Sequence, residues 1–479
     1  MQSRDKFFIG NEWVSPSSTQ TFKVVNASTG ELVATAPEGA NADIDAAVSA
    51  ARAAFEYGEW ANSGPSDRAE IMERFLAALV KRGDEIAQTV STQNGMPIGL
   101  STAFEAQYSA GLLQYYTEEA KNIETALDIR PSQMGKETQV KKVPFGVVAA
   151  IVPWNFPVTL AMSKIAPAMA AGCTLVIKPS PGTVLDSYIL AEAALEAGVP
   201  AGVLNWVAAD RDVGAYLVSH PGIDKVAFTG SSAAGRLIAE TCGGLLRPVT
   251  LELGGKSAAI VLEDADIDAF IEGVPNACLL NNGQTCFNGT RILAPKNQYK
   301  QISEAVAELV STMVIGDAMD PETQMGPMAS EPHRERVEAY IVKGKTEAKL
   351  IAGGGRPKNT PQGWFVEPTV FTDVANDAVI SREEIFGPVL SIIPYEDEDE
   401  AISLANDSEF GLGGSVWSAD SEHALKVANQ VNCGTVGING YVPSIGAPFG
   451  GCKGSGIGRE LGPEAVDNYQ SLKSTYIMN

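Results

Sequence analysis

Histidine is scarce in this chain. The three present, His220, His333 and His423, stand in no distinctive setting, which leaves little for a hydrolase that needs an imidazole beside its serine or cysteine. Cysteine is also sparse. Cys173, Cys242, Cys278, Cys286, Cys433 and Cys452 show no Cys-x-x-Cys or Cys/His spacing, so neither a metal site nor a disulfide scaffold is expected, and most read as small buried apolar side chains. No uninterrupted apolar run reaches the ~18 residues of a membrane span, and the N-terminus MQSRDKFFIGNEWV lacks a signal-peptide core, so the reading is a cytoplasmic protein with no membrane partner. Positive charge is outnumbered, 35 Lys and Arg against 58 Asp and Glu for a net charge of -23. That balance excludes nucleic acid as a partner, because phosphate recognition needs clustered cations.

What the chain has is length and alternation. At 479 residues and about 150 residues per domain, roughly three domains are expected. Residues 7–37 hold short apolar segments parted by Asn26-Ala-Ser-Thr-Gly30, which predicts a hairpin with a glycine turn. Ile44, Ala47, Val48, Ala51 and Phe55 predict a helix over 41–57, and further helices are expected over 65–92 and about 99–120. From residue 143 apolar runs at 147–152, 174–178, 203–207, 225–229 and 248–253 alternate with helical stretches at 156–171 and 183–197. This is the pattern of a parallel sheet covered by helices. A second unit runs from about 257 to 460, with strands near 290–293, 366–371 and 388–393 and helices near 299–313 and 398–406. The polar stretch 122–144 and the tail 473–478 are strand-compatible; an unpaired strand there is an edge that a second subunit would cover.

Five segments carry candidate chemistry. In KVAFTGSSAAGRLIAE (225–240) a strand passes through Gly230 and Gly235 into a helix, an arrangement that presents backbone N–H groups to a phosphate, although ordinary helix entry looks the same. Cys286 lies in the polar, glycine-flanked NNGQTCFNG (281–289), and Cys452 in GGCKGSG is its rival as a reactive thiol. Glu252 ends an apolar strand directly before two glycines, where desolvation would raise its pKa toward that of a general base; an exposed strand-end glutamate is the plainer account. Asn155 sits between prolines in PWNFP (153–157), held rigidly enough to be an oxyanion donor or a turn cap.

Taken together, PWNFP (153–157), LVIKPS (175–180), FTGS (228–231), LELGGK (251–256), GQTC (283–286), EEIFGPV (383–389) and PFGG (448–451) resemble the aldehyde dehydrogenase superfamily across essentially the whole chain. The resemblance implies an α/β fold: a Rossmann-type cofactor domain over 1–122 and 144–254, an α/β catalytic domain over 255–455, and a small β oligomerisation element joining 123–143 to the tail within 456–479. It implies a homodimer or homotetramer acting on a small-molecule aldehyde.

By the same resemblance Cys286 is the nucleophile, Asn155 the oxyanion donor, Glu252 the base that hydrolyses the thioester and Lys164 a support for its charge; Cys452 drops out. Cofactor contacts are implied for Ile151, Val152, Pro153 and Trp154 at a strand end, Lys178 and Ser180 near the adenosine ribose, Phe228, Gly230 and Ser231 near the pyrophosphate, Leu253 and Gly254 near the nicotinamide, and Glu384 and Phe386 at its ribose. No metal is implied. Phe156, Leu160, Ser163, Thr285, Phe287, Tyr441 and Phe449 are expected around the aldehyde. They include no cation to grip a carboxylate or phosphate, so a medium-sized apolar aldehyde (aliphatic, terpenoid or aromatic) is expected.

The chain departs from the common family pattern on the adenosine side. Pro181 stands where relatives that prefer NAD carry a glutamate, and AADRDVG (208–214) brings Asp210 and Arg211 nearby. NAD is expected over NADP on family grounds. Two alternatives remain: transfer of the thioester to coenzyme A, which a water-activating Glu252 opposes, and a structural or binding relative without activity, which retention of Cys286, Glu252 and Asn155 opposes.

Overall fold

The computed structural model describes residues 2–123, 128–360 and 362–478. Met1, residues 124–127, Pro361 and Asn479, which the domain ranges above include, lie outside them. Two antiparallel hairpins open the chain, Phe7–Ile9 with Glu12–Val14 and Thr21–Val25 with Leu32–Pro37. The helix predicted over 41–57 is Asn41–Glu56. The one predicted over 65–92 is two helices, Pro65–Val80 and Gly83–Asn94, because Arg82 leaves helical dihedrals (φ -101, ψ 10) just before a glycine, a poor helix former. Ile98–Asn122 is one rod with a π-helical stretch at Thr102–Tyr108.

Five parallel strands make the first large sheet, in the spatial order Leu204–Trp206, Thr174–Lys178, Val147–Ile151, Lys225–Thr229, Val249–Glu252. Nearly all of their residues are buried, because helices cover both faces, and this is why they read as continuous apolar runs. Chain order reverses between Val147–Ile151 and Lys225–Thr229, which opens a crevice at the carboxyl ends of those strands. Phe7–Ile9 extends one edge, and Gly456–Ile457 returns from far along the chain to pair with Leu251 and Glu252 on the other.

The second large sheet runs Lys349–Ala352, Thr369–Thr372, Val389–Tyr395, Arg291–Pro295, Ala258–Val261, Gly414–Trp417, Gly437–Ile438, parallel except for its first strand. In the third, Glu137–Pro144 is flanked by Asp128–Pro131 and by the tail strand Gln470–Ile477. Among the described residues no helix is long and apolar enough to cross a membrane.

Candidate active site

Cys286 lies in a turn that the chain has little freedom to leave. Gly283 has φ 77, and a Cβ there would fall 2.3 Å from the carbonyl carbon of Gly387, so only glycine fits. Asn282 donates from Nδ2 to the carbonyls of Gly95 (2.8 Å) and Pro327 (2.9 Å), and Asn288 donates to Leu280 (3.1 Å). Burial, and then the carboxylates of Glu384 and Glu252, push the Cys286 thiol up. Cys452 lies elsewhere, its Sγ within 3.5 Å of the Asn432 and Gly411 carbonyls.

Asn155 is brought to the cysteine turn from the end of Val147–Ile151. Its carbonyl accepts from Nδ2 of Asn94 (3.2 Å) and Asn281 (2.8 Å), and its own Nδ2 donates to the carbonyl of Gln284, two residues before Cys286 (3.0 Å). Glu252 is buried, and neither carboxyl oxygen has a hydrogen-bond partner among the described residues. Burial and the neighbouring Glu460 raise its pKa well above the usual carboxylate value, against the pull of Lys164 and Arg459. Lys164 does not touch Glu252; its Nζ meets Glu460 Oε1 at 2.6 Å and Thr229 Oγ1 at 2.6 Å. Ser163 donates to the other Glu460 oxygen at 2.8 Å.

Cys286 and Asn155 share the wall of an apolar cavity with Phe156, Leu160, Ser163, Thr285, Phe287 and Phe449. Tyr441 is not on that wall: its ring packs behind Phe287 at 4.6 Å and its hydroxyl bonds Thr435. Phe104, Tyr108 and Leu112 of the helical rod also line the cavity. Glu105, in the π-helical stretch between them, is wholly buried and accepts from the Val158 N–H at 2.7 Å, the first turn of helix Pro157–Ala171. Burial pushes its carboxyl up to about 8.

On the other side of the cysteine lies the strand-end crevice. Ile151 pairs with Lys178, and Val152 donates to the Lys178 carbonyl at 3.0 Å, with Pro153 and Trp154 following. Lys178 Nζ donates to the Ala209 carbonyl at 2.7 Å, and burial pushes it down to about 8. Ser180 is half-buried and Phe228 buried. The Gly230 N–H donates to the Glu252 carbonyl at 3.0 Å, and exposed Ser231 caps helix Ser232–Gly244 by accepting from Ala234. Leu253 packs against Gly235. Glu384 reaches across to Gly254 and Gly255: its Oε1 accepts from the Gly255 N–H at 2.9 Å, and a Cβ on Gly254 would come 2.3 Å from its Oε2. Burial pushes Glu384 up to about 7.

Residues 13–475 match the sequence model of the aldehyde dehydrogenase family. A geranial dehydrogenase of Castellaniella defragrans is 57% identical over 471 residues, 98% of either chain. The chain belongs to the aldehyde dehydrogenase family. An aldehyde dehydrogenase of Mycobacterium tuberculosis solved with NAD+ superposes at a TM-score of 0.97 with 45% identity, covering 100% of this chain and 99% of that one. A Pseudomonas syringae aldehyde dehydrogenase variant solved with NAD+ and octanal superposes at 0.94 with 38% identity, covering 98% and 96%. This aldehyde dehydrogenase therefore oxidises an aldehyde to the carboxylic acid with reduction of NAD(P).

Its residues suit such a dinucleotide: a crevice at the strand-order reversal, a capped helix N-terminus at its mouth, and the Lys178 ammonium and Glu384 carboxylate for hydroxyl groups. Phe104, Tyr108, Leu112 and Glu460 line the apolar cavity beside Cys286 without having been expected there. The first three recur every four residues, a helical signal, but nothing local marks them as site residues rather than core.

Proposed function

We propose that this enzyme works through a covalent thioester on Cys286. The observation that carries the reading is the Asn155 amide fixed on the Gln284 carbonyl, beside Cys286 on one apolar cavity wall. Cys286 gives up its thiol proton to solvent and adds as the thiolate to the aldehyde carbon, and the oxyanion so formed is held by Asn155 and the Cys286 N–H. A bound dinucleotide supplies the hydride acceptor. Once the carbon is oxidised to a thioester on Cys286, Glu252 takes a proton from the attacking water, the C–S bond breaks, the acid leaves and the Cys286 sulfur takes the proton back as the free thiol. A carboxylate raised by burial suits that task. Lys164 acts at one remove, through Glu460.

The substrate is an apolar aldehyde of terpenoid or long aliphatic type. The aromatic and aliphatic lining supports this, and the relative at 57% identity is a geranial dehydrogenase. NAD is the preferred cofactor. Asp210, whose Oδ1 accepts from the Val213 N–H at 2.9 Å, is a fixed carboxylate close enough to bear on Lys178, and it opposes a 2′-phosphate; the positive charge of Arg211 would favour one and makes NADP the competing choice. The two large sheets correspond to a cofactor and a catalytic domain, and the third sheet to a homo-oligomer contact in a cytoplasmic protein.

The test is absorbance at 340 nm with purified enzyme, NAD or NADP and a panel of aldehydes. Cys286→Ala abolishes reduction of the dinucleotide; reduction at the wild-type rate would overturn the covalent route. Equal kcat/KM for the two dinucleotides would overturn the NAD preference.

A further inference from the structure

Helix Glu331–Glu347 belongs to the second unit and contributes nothing to the aldehyde cavity. Yet His333, Arg336 and Tyr340, three and four residues apart and so on one helical face, all end on the segment Glu383–Phe386. The His333 Nε2 lies 2.7 Å from the Phe386 carbonyl oxygen, Arg336 donates to the Glu384 carbonyl at 2.7 Å, and the Tyr340 hydroxyl donates to the Glu383 carboxylate at 2.6 Å. Val337, on the same face, leaves room only for glycine at position 387: a Cβ there would meet it at 2.6 Å.

The segment needs such support. Phe386 has φ 62, a left-handed conformation unfavourable for a bulky side chain. A carbonyl oxygen only accepts, so Nε2 is the protonated nitrogen of the His333 ring. Burial pushes the imidazole down to about 4, which keeps it neutral at ordinary pH. Trp154, at the end of the Val147–Ile151 strand, packs edge-on against both His333 (5.0 Å) and Phe386 (5.4 Å).

We propose that His333 and Arg336 are positioning residues for the cofactor: by holding the Phe386 and Glu384 carbonyls they aim the Glu384 carboxylate over Gly254 and Gly255. This rests on the reading that Glu384 holds the dinucleotide.

The test is the dissociation constant of NAD+, measured by calorimetric titration of the whole enzyme. His333→Phe keeps the ring and loses the donor, so it weakens NAD+ binding by about tenfold, the worth of roughly one hydrogen bond. His333→Gln, a neutral donor, restores most of that loss. In steady state the KM for NAD rises and the KM for the aldehyde stays within about twofold, a split that general loss of structure would not give. Wild-type affinity in His333→Phe, with weak binding in Glu384→Gln, overturns the clamp alone. Wild-type affinity in Glu384→Gln overturns the reading of Glu384 and the clamp with it. Failure of His333→Gln to recover affinity also overturns the clamp, since ring packing would then explain the loss.

Discussion

Lys164 and Glu460 form an ion pair almost sealed from solvent, Nζ to Oε1 2.6 Å, and both bear on the unpartnered Glu252 carboxylate, the glutamate raising its pKa and the lysine lowering it. The two substitutions therefore act in opposite directions on the pH at which Glu252 becomes a base. In Glu460→Gln the repelling charge is gone and Lys164 is left unpaired, so the acid limb of the kcat profile moves to lower pH. In Lys164→Met it moves to higher pH. Breaking a buried pair costs about 3–5 kcal/mol, so thermal unfolding should accompany the kinetics to show that each variant is folded. A shift of the same sign in both variants would refute the Coulombic account.

Glu252→Gln separates hydride transfer from hydrolysis. The first turnover stays fast, seen as a burst of reduced dinucleotide, while steady turnover falls by about 10²–10⁴. The same variant reports on stability. Because burial raises the Glu252 pKa, the folded state binds its proton more tightly than the unfolded chain. Below the ordinary glutamate value both states are protonated and the penalty is absent; as pH rises above it the unfolded chain ionises first and the native enzyme loses stability. Glu252→Gln thus unfolds at a higher temperature than the wild type at neutral pH, with the gap closing in acid. A lower melting temperature at neutral pH would contradict the burial argument.

What the sequence disclosed follows from where its constraints are local. The five parallel strands were legible because both faces are covered, which makes each an apolar run. Asn155, Glu252 and Cys286 stood out because each sits in a short rigid segment of prolines or glycines. Glu460 was not legible: its meeting with Lys164 is made only when Gly456–Ile457 returns to the first sheet. Phe104, Tyr108 and Leu112 read as ordinary helix residues, and the π-helical stretch beside which they line the cavity left no mark in the apolar spacing. His333 looked undistinguished for a related reason: its helix is polar over most of its surface, and its partner is a backbone carbonyl that no side-chain pattern announces.

The proposal that the apolar cavity holds the aldehyde makes chain length a quantitative test. Each methylene moved from water into an apolar site gains about 0.8 kcal/mol, roughly fourfold in kcat/KM. Across straight-chain aldehydes kcat/KM should rise by about that factor per carbon until the cavity is filled, then level off. Leu160→Trp, on the cavity wall, should bring the plateau to shorter chains and leave the shortest aldehydes little affected. A series with no dependence on chain length would mean that the tail lies outside the cavity.

Among the described residues the third sheet has two free edges, and the tail strand Gln470–Ile477 carries one of them with Leu472 and Tyr476 69% and 70% exposed. An eight-residue strand with an open row of backbone donors and acceptors would aggregate unless something covers it; in the proposed homo-oligomer a second copy of the chain would do so with closed symmetry. Charge placed on the exposed face should release that contact without reaching the active site. In Leu472→Asp/Tyr476→Asp, sedimentation velocity should show a smaller species than wild type at the same concentration. Unfolding temperature should lose its dependence on protein concentration, because mass action no longer stabilises the fold. If the double variant sediments like the wild type, this edge is not an oligomer contact.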